Sequence, residues 1–150
     1  MSDSMWRTVR NDHDILQLMH AVGSFHDSCI KEMYYVSGAY VNDDLSMCPV
    51  NTRRELHVIF QRQANAMPML ELAFSDLKTL QLTPNDPEYT CEILDASLFR
   101  KDGCIWWCDD AVSPSDAETY SGTLICAGQL RFRPLSGPMG AQPFFEPITE

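Results

Sequence analysis

Two periods divide the chain. Between residues 12 and 22 the apolar positions Ile15, Leu18, Met19 and Val22 recur at i, i+3, i+4 and i+7, which puts them on one face of an α-helix. Asn11 or Asp12 offers a side-chain oxygen to the orphan N–H groups at its start, and Gly23 follows as a left-handed stop. Trp6 is expected to pack near this helix. From residue 28 onward the period falls to two. Residues 30–36 read as a strand whose Tyr34-Tyr35 pair suits a pleated surface. Residues 41–51 form a polar connection, and residues 55–61 alternate. Leu56, Val58 and Phe60 take one face of that strand, and Glu55, His57, Ile59 and Gln61 the other. Residues 69–74 alternate with Leu70, Leu72 and Phe74 inward. Ser75-Asp76 interrupts them as a turn or bulge, and residues 77–82 resume the pattern. Thr83-Pro84-Asn85-Asp86-Pro87 is a dense turn signal.

Residues 89–99 then read as another strand, separated by Lys101-Asp102-Gly103 from residues 104–108. Asp-Gly between two apolar runs signals a hairpin. An acidic loop covers 109–121, and residues 123–132 form the last strand, with Leu124, Cys126, Leu130 and Phe132 on one face. The pattern predicts a mainly β fold. One N-terminal helix is followed by about seven antiparallel strands, arranged as a curved sheet, a sandwich or an open barrel. Residues 1–133 make a single domain. Residues 134–150, with four prolines and two glycines, are expected to be a tail outside it.

Composition narrows the classes. A chain of 150 residues with 45% hydrophobic content buries a sizeable core as one domain. No apolar run approaches the roughly 18 residues that span a bilayer. Residues 1–10 are polar and lack the apolar core of a secretory signal, so the expected location is the cytoplasm. The six cysteines then read as thiols in or near the core. The net charge of −10 argues against nucleic acid and anionic membrane as partners, because phosphates need Lys and Arg to neutralise them. Between residues 86 and 118 nine carboxylates face only Arg100 and Lys101. That segment is either a solvated face or a docking surface for a basic protein.

Candidate chemistry is sparse. Phe25-His26-Asp27-Ser28 sits at the corner between helix and first strand. His beside Asp invites a catalytic or metal reading, yet a metal site needs three or four ligands. The alternative is that Asp27 or Ser28 bonds local backbone while Phe25 packs inward. In Cys104-Ile105-Trp106-Trp107-Cys108 the two sulfurs lie about 13 Å apart along a regular strand, too far for one tetrahedral metal. An exposed Trp106 or Trp107 beside the acidic loop would anchor a protein partner. No nucleophile elbow, phosphate loop or dinucleotide fingerprint is present, and no cofactor is expected. Phe144-Phe145 between Pro143 and Pro147 can dock as an extended peptide or fold back on a sheet edge.

Several short segments resemble a diffuse group of small bacterial β-rich proteins that look like immunity proteins of polymorphic toxin systems. They are Phe25-His26-Asp27-Ser28, Leu56-His57-Val58-Ile59-Phe60, Leu72-Ala73-Phe74, Ile93-Leu94-Asp95-Ala96, Ile105-Trp106-Trp107-Cys108-Asp109-Asp110 and Leu130-Arg131-Phe132-Arg133. The resemblance spans residues 25–133 and supplies no catalytic residues. It implies a non-enzymatic protein-binding domain, with a basic toxin as the matching partner. The residues expected to carry binding are Asp102, Trp107, Asp109, Asp110, Asp116 and Glu118. Two alternatives stay open: a small metal protein or enzyme using His26 and Asp27, and a subunit of a homo-oligomeric assembly.

Overall fold

The helix forms where its caps and apolar face agree. In the computed structural model, which describes residues 5–145, α1 spans Asp12–Ala21 after a short strand β1, Arg7–Val9. Asn11 Oδ1 accepts the Asp14 N–H at 2.9 Å, and Asp12 and Asp14 put negative charge at the positive end of the helix dipole. The helix stops where Gly23 turns left-handed, with φ of +57°. Eight further strands follow: β2 Ser28–Val36, β3 Tyr40–Val41, β4 Met47–Cys48, β5 Glu55–Arg62, β6 Met69–Gln81, β7 Ser97–Lys101, β8 Cys104–Cys108 and β9 Leu124–Leu135.

The fold is mainly β, as the two-residue period implied. Seven strands form one antiparallel sheet in the order β2-β5-β6-β9-β8-β7, and β1 pairs with β9 beyond the end of β8. Strands β3 and β4 form a separate two-stranded hairpin that begins at Tyr40 and overlaps the stretch 41–51 expected to be only a polar connection. The sheet is not closed. Ile93 makes an isolated bridge to Ser28 on the outer edge of β2, and β7 at the opposite edge begins four residues later at Ser97. Four residues reach at most about 14 Å, so the two edges curl towards each other at this end.

The inner face of that curl holds the core. Leu56, Val58 and Phe60 of β5, Leu70, Leu72 and Phe74 of β6, and Trp107 of β8 pack with Leu18, Val22 and Phe25. Phe25 lies 4.9 Å from Phe60 and 5.8 Å from Trp107 between ring centroids. The β7–β8 hairpin turns on Asp102 and Gly103, both left-handed at φ +54° and +75°, the geometry of a two-residue primed turn.

Three expectations need correction. The runs 69–74 and 77–82 are one strand, β6, ending at Gln81, so the interruption is no turn; of the two alternatives the bulge holds, displaced to between Leu77 and Thr79. The interruption at Asp76 is a left-handed residue, φ +54°, which salt-bridges Arg54 at 2.5 Å. Opposite it stands Gly128, where a Cβ would fall 2.4 Å from Asp76 Oδ2. Here the inward set of β9 changes phase: Ile125, Ala127 and Leu130 join the core, whereas Leu124 and Cys126 do not share it with Leu130. The strand expected over 89–99 is absent before Ser97. Residues 82–96 instead carry the chain from β6 past β9 and β8 to the far edge, and only Ile93 pairs on the way.

The C-terminal segment is in contact with the domain as far as it is described. β9 itself continues to Leu135, with Pro134 opposite Leu70. Beyond it, a Cβ on Gly137 would lie 2.3 Å from Met69 Cγ, and the Phe145 N–H donates to Glu32 Oε1 at 2.5 Å. Residues 136–145 thus run from β6 to β2 on the outer side of the sheet. Glu146, Pro147 and Ile148 lie outside the described residues.

Candidate functional site

Two loops bring the acidic segment together. Residues 82–96 and 109–122 are distant in sequence but tied at their bases. The Thr83 N–H donates to Thr123 Oγ1 at 3.1 Å, and Thr83 Oγ1 donates to the Ser121 carbonyl at 3.0 Å. Gln81 Nε2 donates to the carbonyls of Tyr120 and Gly122 at 2.8 and 2.6 Å. Asp86, Glu88, Glu92, Asp95, Asp110, Asp116 and Glu118 are exposed on these loops. Among them stand Leu82, Tyr89 and Leu94, exposed at 55, 76 and 63%.

The residues expected to bind a partner divide into three kinds. Asp102, Asp110 and Asp116 are exposed, and the last two make only local bonds, Asp110 Oδ1 accepting the Ala111 N–H at 2.7 Å and Asp116 Oδ2 the Ser113 hydroxyl at 2.9 Å. Asp109 and Glu118 are engaged within the protein. Asp109 Oδ1 accepts the Tyr120 hydroxyl and, at 3.2 Å, the Thr123 N–H, which closes the 109–122 loop. Glu118 pairs with Lys101, whose Nζ also donates to the Pro114 carbonyl at 2.8 Å. These contacts, and the Ser97 hydroxyl donating to the Asp110 carbonyl at 2.7 Å, pin the loop alongside β7. Burial and then the Asp109 hydrogen bond push the Tyr120 phenol above its ordinary range, so it stays protonated as the donor. Trp107 is a correction. It is fully buried on the inner face and cannot anchor a partner. Alternation on β8 sends Trp106 outward instead, half-buried, with its Nε1 donating to the Lys101 carbonyl at 3.1 Å.

The His26 corner is a clamp on the first of these loops. His26 Nδ1 bonds the Leu94 carbonyl at 2.6 Å. The Asp27 N–H donates to Ile93 O at 2.9 Å, Ile93 N–H to Ser28 O at 2.8 Å, and Ala96 N–H to Ser24 O at 2.8 Å. The Phe-His-Asp-Ser and Ile-Leu-Asp-Ala segments singled out in the sequence therefore bind one another. The Leu94 carbonyl and then Asp27 raise the His26 pKa. Among the described residues no group of three His, Cys, Asp or Glu side chains is placed to hold a metal ion.

A second cluster was invisible in the sequence. On the outer face His57 stands between two carboxylates, with Nδ1 2.5 Å from Glu71 Oε2 and Nε2 2.7 Å from Glu55 Oε1. Two carboxylates can only accept, so both ring nitrogens must donate and the ring is an imidazolium. Burial pulls its pKa down, but the bonds and charges of Glu71 and Glu55 outweigh that and the net shift is upward. Glu71 is 2% exposed. Burial pushes its pKa up, and hydrogen bonds from His57 and Arg133 carry it below the usual range. Arg133 Nε reaches Glu71 Oε1 at 2.8 Å, and Arg131 and Arg53 reach Glu55 at 3.6 and 3.1 Å. Tyr34 stacks on His57 with centroids 4.5 Å apart. Trp6 covers both Arg131 and Arg133, each 4.4 Å from its ring.

Two of the thiols, Cys108 and Cys126, are buried, whereas Cys91, expected near the core, is exposed. All six are free, and burial pushes Cys108 up to about 11 and Cys126 to about 12, which keeps both protonated at neutral pH. No helix among the described residues is long and apolar enough to cross a membrane. No family model, no curated protein and no solved structure matches this chain.

Proposed function

We propose that this protein is a non-enzymatic binding domain that docks a basic protein partner on the face built by its two acidic loops. The observation that carries this reading is the joining of residues 82–96 and 109–122 into one surface. Exposed carboxylates and three exposed apolar side chains share these two loops, and both loops are held by hydrogen bonds at their bases. Pre-ordered loops lose little entropy on binding. A carboxylate field speeds encounter with a cationic partner, while Leu82, Tyr89 and Leu94 supply the apolar contact that fixes it. The resemblance to immunity proteins names the specific form of this reading: neutralisation of a basic toxin in the cytoplasm.

Affinity capture from native lysate, with wild-type protein beside a variant carrying Asp86→Asn, Glu88→Gln, Asp95→Asn, Asp110→Asn and Asp116→Asn, tests it. The wild type should retain a basic protein at low salt and release it as salt rises, and the variant should retain none. Equal retention by both proteins would remove the acidic face from the account. For the immunity form, the captured protein expressed alone should arrest growth, and co-expression of this chain should restore it.

A further inference from the structure

We propose that a cleft between α1 and β1, separate from the acidic face, binds a small carboxylate with an apolar body. The cleft has a volume of about 870 Å³, within the range of small-molecule sites. Its apolar walls come from Leu18 of α1, Met67 of the β5–β6 turn, Phe132 of β9 and Trp6. Arg7, Arg10 and His20 line the same cleft. Among the described residues Asp14 is the one carboxylate lining the cleft, and its Oδ2 accepts the backbone N–H of Arg10 at 2.8 Å.

Charge complementarity selects the occupant. The chain as a whole carries −10, so an anion is repelled from most of its surface. Among the described residues that line this cleft are two arginines and a histidine, against one carboxylate already committed to a backbone N–H. Guanidinium groups match a planar carboxylate with paired donors. The aromatic and aliphatic walls take the rest of the ligand, with a driving force proportional to the apolar area removed from water. An organic cation would meet the two guanidiniums directly, and a neutral alcohol would leave them unused.

Decanoate, decanol and decyltrimethylammonium are suitable probes, each titrated into the full chain below its micelle-forming concentration. The readout is the indole N–H signals in a two-dimensional NMR spectrum. Trp107 is fully buried and Trp106 donates to Lys101 O, so these two serve as internal references for Trp6. Decanoate should shift the Trp6 signal saturably and leave the references in place. Arg7→Glu with Arg10→Glu should weaken it by about tenfold or more, while Arg100→Glu, an exposed cation elsewhere, should leave the affinity unchanged. No saturable Trp6 shift overturns the site. Equal affinity for decanol or the ammonium, no loss in the double variant, or the same loss in Arg100→Glu overturns recognition of the anion.

Discussion

The inner face of the sheet excludes water with Trp107, Phe60, Phe74 and Leu72, all fully buried. The outer face of the same strands is equally dry over Glu71 and His57, at 2 and 7% exposed, but it is built from charges. Inside, a side chain of roughly the right shape suffices, because apolar burial has no direction. Outside, Met69 and Ala73 are buried as apolar groups, but His57 and Glu71 are buried against partners from other strands. Glu71 of β6 needs His57 of β5 and Arg133 of β9. Removing one member of such a set leaves an uncompensated charge, whereas replacing the whole set by apolar groups can be neutral or stabilising. The two faces should therefore fail differently.

Trp107→Ala opens a cavity against Phe25 and Phe60 and should cost about 4 kcal/mol, read as a drop in the urea midpoint. Glu71→Leu should cost about 3 kcal/mol, because His57 and Arg133 lose their shared acceptor. The triple variant Glu71→Leu, His57→Leu, Arg133→Met should recover most of that loss, whereas no second substitution nearby restores Trp107→Ala as simply. A triple variant as unstable as Glu71→Leu alone would erase the distinction between the faces.

Acidity sharpens it further. The folded His57 pKa lies above its ordinary value of 6.5, so its contribution is full below that value and is lost as pH rises through the folded pKa. Glu55 and Glu71 lie below their ordinary 4.5. Their contribution is present above that value and is lost as pH falls through the folded pKa values. Stability should peak between about pH 5 and 6.5. His57→Leu should flatten the alkaline limb in denaturant titrations across pH, and Trp107→Ala should leave its shape unchanged.

The smallest effects belong to the loops. Asp109→Ala removes the acceptor of Tyr120 and Thr123 and should cost about 1 kcal/mol. Asp110→Lys with Asp116→Lys should leave the urea midpoint where it is while slowing partner association. A large loss of stability in this last variant would mean that those carboxylates hold the loop rather than face a partner.

This asymmetry also explains what the sequence made legible. Leu56, Val58, Phe60, Leu70, Leu72 and Phe74 alternate, and the inner face follows directly. Glu55, His57 and Gln61 alternate just as well, and polar alternation ordinarily marks a solvated face. The burial of His57 and Glu71 depends on partners from other strands, Glu71 on Arg133 62 positions away, which no local period encodes. The acidic segment was legible as charge, but not as two loops joined at Thr83 and Thr123. Trp107 was misplaced because in a run of two tryptophans a shift of one residue exchanges the faces. The 82–96 connection kept strand-like residues such as Tyr89 and Ile93 without a neighbouring strand to pair with over most of its length.

The position of β9 has a consequence for synthesis. Of the described strands the last made is the one at the centre, between β6 on one side and β8 with β1 on the other. Until residues 124–135 have been added, the β6 and β8 edges both stand open, their backbone groups unpaired and prone to join other chains. The growing chain can form the β5–β6 and β7–β8 hairpins as it leaves the ribosome, but it cannot complete the sheet. A full-length chain refolding from denaturant has β9 available from the start. Folding during translation and folding in the test tube should thus follow different orders, with the dependence on chaperones concentrated in the first.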